Sequence, residues 1–144
     1  MTNQLVQLSD IMTTDLITVS PNDTMERVNQ IFKTHSFHHL PVVEDNQQLV
    51  GLVSKSDYLV LCDGMMLINK KFNEERNLQF FRSLLVKEIM VKQLVTLQPE
   101  ESIMKAVDIF KENYFHAIPI VNQEDELKGL VTTFDLLNHA FATA

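Results

Sequence analysis

A single cysteine, Cys62, leaves this chain of 144 residues without the means for an intrachain disulfide framework. No apolar run approaches the roughly 18 residues that mark a membrane span, because charged or turn residues interrupt the longest of them. The opening stretch MTNQLVQLSD has neither the basic start nor the apolar run of a signal peptide. Basic residues are scarce: 12 Lys and Arg stand against 19 Asp and Glu, for a net charge of −7. Non-specific binding to DNA or to an anionic membrane needs a cationic face, so neither nucleic acid nor membrane is expected as a partner, whereas one small anion in a local basic pocket stays compatible. Neither a P-loop nor a paired metal motif occurs, and no Ser or Cys nucleophile stands in a recognisable motif beside a histidine. The expectation is a cytoplasmic protein in a reducing environment. What the chain does have is enough apolar residue, 45%, for a real core, with a charged fraction of 22% that argues against disorder.

It also has a repeat. Displaced by 78 positions, residues 8–62 align with 86–140 without a gap. Ile11-Met12 meets Ile89-Met90, Pro21 meets Pro99, Ile31-Phe32-Lys33 meets Ile109-Phe110-Lys111, and Phe37-His38 meets Phe115-His116. Pro41 meets Pro119, Gly51-Leu52-Val53 meets Gly129-Leu130-Val131, and Asp57 meets Asp135. The expectation is two copies of one unit packed about a pseudo-two-fold axis, with a first repeat over 1–62, a partly helical linker over 63–83 and a second repeat over 84–144.

Each copy reads β-α-β-β-α, an α/β (α+β) unit. The short β-branched stretches Leu16 to Val19 and Leu94 to Leu97 read as first strands. Pro21 and Pro99 break the chain, and acidic residues follow at a helix N-terminus, where Asp23 and Glu26 suit a capping box. Met25, Val28 and Phe32 then share a helix face, as do Ile103, Val107 and Phe110. LPVV and IPIV begin second strands, a polar loop leads to LVGLVS or LKGLVT, and closing helices run from about Ser56 to Cys62 and from about Phe134 to Phe141. The linker has no counterpart in the repeat. Leu78, Phe81 and Leu85 suit one helix face, and a solvated connector is an equal reading.

Two such units, each with an H-x-h-P step (h apolar) and a G-h-h-[ST]-x-x-D step, resemble a pair of cystathionine-β-synthase (CBS) domains, here as a free-standing pair. The resemblance covers about residues 8–62 and 86–142. It implies one compact module, often a homodimer, whose clefts between the repeats take adenosine-containing ligands such as AMP, ADP, ATP or S-adenosylmethionine, and which senses rather than catalyses.

In Gly51 to Asp57 and Gly129 to Asp135 a strand ends and a helix begins. By residue type alone, Ser54 with Asp57 and Thr132 with Asp135 are capping boxes, worth about 1 kcal/mol each. The resemblance implies a second role. Asp57 and Asp135 would accept hydrogen bonds from both ribose hydroxyls, and Ser54 and Thr132 would hold the sugar or phosphate. The chemistry suits it, since a carboxylate offers two acceptor oxygens to a vicinal diol and a helix N-terminus offers N–H groups to an anion.

His38 and His116 stand three residues before a proline, with His39 matched by Ala117. Only one histidine repeats, so a metal site is not expected. One reading is a partly buried residue that closes the helix-to-strand turn. The resemblance implies that His38, His39 and His116 reach the phosphates. Arginine, which grips phosphate bidentately, is absent there. That predicts a low phosphate count, AMP above all, with binding that weakens as rising pH discharges the imidazoles, and unequal sites. The resemblance places the base near Leu16, Ile17 and Thr18 and near Leu94, Val95 and Thr96, which otherwise read as strand core.

The leading reading is therefore a regulatory module that binds an adenine nucleotide and acts on an unidentified regulated protein, with no obligatory cofactor and no catalytic residue. The alternative is a dimerisation or interaction scaffold that binds no ligand, with its aspartates serving only as caps. A nucleotide hydrolase or metal-dependent hydrolase ranks last.

Overall fold

A computed structural model describes residues 6–68 and 74–142, with side chains for 6–64 and 77–142. A 3-10 turn at Leu8–Asp10 precedes helix α1 (Met25–Thr34). Strands β1 (His39–Glu44) and β2 (Gln48–Ser54) pair in a two-stranded sheet and lead into α2 (Lys55–Ile68). Helices α3 (Glu74–Ser83) and α4 (Val86–Ile89) come next. The second repeat then runs α5 (Ile103–Lys111), β3 (Ala117–Val121), β4 (Leu127–Thr132) and α6 (Thr133–Phe141). The fold mixes helix with two small antiparallel sheets. In the second, Ala117 faces Thr132 and Ile120 faces Gly129, with an irregularity between Ile120 and Val121. No described helix is long and apolar enough to cross a membrane.

Several sequence expectations need correction. Residues 16–19 and 94–97 are not strands. Each touches the sheet through one parallel bridge, Val19 with Val42 and Leu97 with Ile120. The reason lies in the neighbouring strand. Val19 donates to the Pro41 carbonyl at 3.1 Å and accepts from the Val43 N–H at 2.9 Å. The next rung of a parallel ladder would need an N–H from Pro41, which proline lacks, and Pro119 ends the Leu97 ladder in the same way. The expected capping box of Asp23 with Glu26 does not form either. Thr24 is the N-cap of α1, the Asp23 carboxylate accepts the Ser20 N–H at 2.8 Å, and Glu26 accepts from Arg82 at 2.7 Å. The second repeat copies the Asp23 loop closure, with Glu101 accepting the Gln98 N–H at 2.7 Å.

The molecule divides into two compact units that do not follow the sequence repeats. Unit 1 comprises Met1–Leu16, Asp45–Leu49 and Leu94–Ala144, and unit 2 comprises Ile17–Glu44 and Val50–Gln93. The repeats have exchanged their opening segments. In unit 1 the Leu8 N–H reaches the Glu101 carbonyl at 2.9 Å, and the Ile103 N–H reaches Val6 at 3.1 Å. In unit 2 the equivalent bonds run from Val86 to Asp23 at 2.8 Å and from Met25 to Leu84 at 2.8 Å. Unit 1 buries Leu8, Ile103, Ala106, Ile118, Ile120 and Val131 together. In unit 2, α1 contributes Met25, Val28, Ile31 and Phe32 to a core with Leu40, Val42, Val53, Tyr58, Phe81 and Val86. Phe81 comes from the expected linker, and its ring stacks on Tyr58 with centroids 5.9 Å apart. The segment is therefore part of a core. Helix α2 also runs on to Ile68, past the expected end at Cys62, and α3 stops at Ser83, so Leu85 is the N-cap of α4 rather than part of the α3 face. Lys70 and Lys71 of the same segment lie outside the described residues.

Unit 2 also holds a polar pair. Asn29, 4% exposed, accepts a hydrogen bond from the Tyr58 hydroxyl. Burial, with a contribution from Cys62, pushes the Tyr58 phenol above its ordinary range. The folded state therefore holds this proton more tightly than the unfolded chain does. Its contribution is fully present below the free tyrosine value of about 10 and is lost as pH climbs past it. Tyr58→Phe is expected to cost about 1–3 kcal/mol at neutral pH by orphaning the Asn29 oxygen. It should also flatten the alkaline fall in stability, which urea unfolding across pH 8 to about 11 checks.

Candidate functional site

Each unit presents one copy of the strand-to-helix step. Unit 2 carries Ser54 at the end of β2 and Asp57 in the first turn of α2, and unit 1 carries Thr132 and Asp135 at the start of α6. The strands reach these steps across glycines for a steric reason. A Cβ on Gly51 would sit 2.5 Å from the Met90 sulfur, and one on Gly129 would sit 2.6 Å from the Met12 sulfur and 3.1 Å from the Thr13 carbonyl oxygen. The Gly residues thus let the exchanged opening segments lie flat on β2 and β4. Backbone bonds fix them there. Val91 and Leu52 exchange bonds of 2.9 and 3.1 Å, and Thr13 and Leu130 exchange bonds of 2.8 and 2.9 Å.

The two aspartates are engaged differently. Asp135 completes a capping box: its Oδ2 accepts the Thr132 N–H at 2.9 Å and the Thr132 hydroxyl at 3.2 Å, and its own N–H donates to Thr132 Oγ1 at 3.4 Å. Its Oδ1 accepts the Thr13 hydroxyl at 3.0 Å. Asp57 makes half of that arrangement. Its N–H donates to Ser54 Oγ at 3.0 Å, while its exposed carboxylate accepts no hydrogen bond among the described residues.

The histidine turns lie next to these steps. The Lys55 N–H donates to the His38 carbonyl at 2.8 Å, which ties the turn to the start of α2. Ala117 pairs with Thr132, so His116 stands one residue outside the ladder at the start of α6. Both side chains are exposed, which corrects the partly buried turn-closing reading. His39 opens β1 and is half-buried. Upstream, His35 stacks on Phe37 with centroids 5.7 Å apart. Among the described residues no three His, Cys, Asp or Glu side chains gather closely enough to hold a metal ion.

Leu16, Ile17 and Thr18, and likewise Leu94, Val95 and Thr96, are half-buried and irregular, just ahead of the Val19 and Leu97 bridges. Ile17 and Thr18 fall in unit 2 with Asp57, and Leu94 to Thr96 fall in unit 1 with Asp135, whereas Leu16 closes a segment of unit 1. The residue that sequence reasoning missed is Thr13. Its signal was present in the alignment of the repeats, where a threonine faces Val91.

The duplicated unit, its paired glycines and its repeated [ST]-x-x-D step define a tandem-repeat architecture, and the family comparison agrees. The CBS domain model matches residues 8–63 and 86–141, and the chain belongs to the CBS domain family as a domain pair. It is 33% identical over 132 residues to inosine-5'-monophosphate dehydrogenase of Korarchaeum cryptofilum, covering 90% of this chain and 24% of that protein. The crystal structure of CBSX2 in complex with AMP superposes with a TM-score of 0.75 at 24% identity, covering 93% of this chain and 95% of that one. The CBS domain pair of protein MJ0100, in complex with 5-methylthioadenosine and S-adenosyl-L-methionine, superposes with a TM-score of 0.72 at 20% identity, covering 94% and 96%. At these identities the two structures share the fold. The chain spans 24% and 46% of the length of the first two curated relatives it matches.

Proposed function

We propose that this CBS pair is a regulatory module that binds an adenosine-containing ligand, AMP above all, at its two strand-to-helix steps and passes the change to a partner protein. The observation that carries the reading is the exposed Asp57 carboxylate at a helix start, which accepts no hydrogen bond among the described residues, with Ser54 three residues before it and the His38 carbonyl bonded to the Lys55 N–H. A vicinal diol needs two acceptor oxygens, and this carboxylate has both available. Ser54 and Thr132 would contact sugar or phosphate, and His38, His39 and His116 the phosphate. Leu16, Ile17 and Thr18, with Leu94, Val95 and Thr96, would line the base. The AMP bound to CBSX2 and the adenosyl ligands of the MJ0100 pair support the ligand class. The proposal includes a homodimer, favoured by exposed Phe134, Leu137 and Phe141 along one side of α6.

A second reading has its own observation. Asp135 already serves as a complete cap, which suits a scaffold without ligand. Thermal melting separates the two. With AMP, ADP, ATP, S-adenosylmethionine and NAD each at saturation, AMP is expected to raise the midpoint by several degrees, since about 100 times Kd adds about 2.7 kcal/mol. The shift should vanish in the Asp57→Ala/Asp135→Ala double variant. No shift with any of the five would sink the sensor and favour the scaffold.

A further inference from the structure

The two steps are built alike except at one hydroxyl. In both units a methionine lies over the strand glycine, and the next residue exchanges two backbone bonds with the strand. That residue is Thr13 in unit 1 and Val91 in unit 2, equivalent positions of the repeat. Thr13 donates to Asp135 Oδ1 at 3.0 Å. Valine has the same branched shape and no donor, and the Asp57 carboxylate accepts nothing among the described residues.

The Thr13 hydroxyl is not a loose neighbour. Its backbone is pinned to Leu130 by bonds of 2.8 and 2.9 Å, and its carbonyl lies so close to Gly129 that a Cβ there would approach to 3.1 Å. With Thr132 on Oδ2 and Thr13 on Oδ1, both oxygens of Asp135 have internal partners.

We infer that Thr13 is a specificity-determining residue that holds Asp135 back from ligand and makes the Asp57 step the tighter of two unequal adenosine sites. The inference rests on the ribose reading above. A diol that binds Asp135 must displace the Thr13 hydroxyl or share the oxygen with it, whereas at Asp57 no donor among the described residues stands in its way. A hydrogen bond to a charged group is worth enough to separate the two affinities by roughly tenfold or more. This cause is independent of the unequal histidine supply, and it has a direction that substitution reverses.

The test isolates each site and exchanges the two residues, with AMP as the probe in calorimetric titrations of the full chain. Asp57→Asn leaves the Asp135 site, and there Thr13→Val is expected to tighten AMP about tenfold while Thr13→Ser, which keeps the hydroxyl, changes little. Asp135→Asn leaves the Asp57 site, and there Val91→Thr should weaken AMP by a similar factor. A tightened site cannot come from a damaged fold. If AMP binds and neither exchange moves its affinity by more than about twofold, the Thr13 inference is wrong and the sensor reading stands. If AMP binds neither the wild type nor any variant, the ribose reading falls and takes the inference with it.

Discussion

Phe81→Ala is expected to destabilise the protein by about 3–5 kcal/mol, although Phe81 lies in a stretch with no counterpart in the repeat. Its ring is 4% exposed, sits 5.9 Å from Tyr58 between centroids, and through Tyr58 continues to Phe32 at 5.2 Å. Truncation opens a cavity inside a core fixed on the other side by α1 and by the Asn29–Tyr58 hydrogen bond. Those neighbours cannot collapse inward without breaking that bond, which places the cost towards the upper end. The Arg82–Glu26 ion pair beside it is too exposed to matter comparably. Urea unfolding checks the value. A loss under about 1 kcal/mol would mean that α3 is an ornament on unit 2 rather than one of its walls.

Leu8→Ala should cost about 2–5 kcal/mol, more than its place near the start of the chain suggests. Leu8 is fully buried against Ile103, Ala106 and Ile118, and its N–H bonds to Glu101. Val86 holds the equivalent place in unit 2 and is equally buried. Hydrogen exchange adds a sharper test. In Leu8→Ala, protection should fall first at α5, β3 and β4, while β1 keeps its own. Equal loss in both units would instead indicate one unfolding transition shared by the whole chain.

Much of this was legible in the sequence because it depended on local chemistry. The hairpins followed from apolar runs across polar loops, and the buried face Met25, Val28 and Phe32 followed from helical spacing. The Thr132–Asp135 cap followed from the residue types alone. The failures were failures of partner. Residues 16–19 have strand composition, yet a strand needs a neighbour able to donate, and Pro41 cannot. Phe81 looked like linker because nothing local shows that a ring from outside the repeat will meet Tyr58. Glu26 was spaced for a cap and took Arg82 instead. At the candidate site, the step residues were readable one repeat at a time. Thr13 stood opposite Val91 in the alignment of the repeats, but its role did not show there, because it is exerted on an aspartate more than a hundred residues away, in the other repeat.

That exchange of opening segments also sets an order on the birth of the molecule. Unit 2 draws on nothing beyond Gln93, so it can close while the second repeat is still being made. Unit 1 cannot. Leu8 leaves the ribosome before its partners and must wait, apolar and uncovered, until Ile103 and Ile118 arrive roughly a hundred residues later, on the order of five to twenty seconds at ordinary elongation rates. During that interval the Leu8 segment has no core to join and is open to chaperones or to the half-made second repeat of another chain, so crowded translation should favour swapped dimers over dilute refolding.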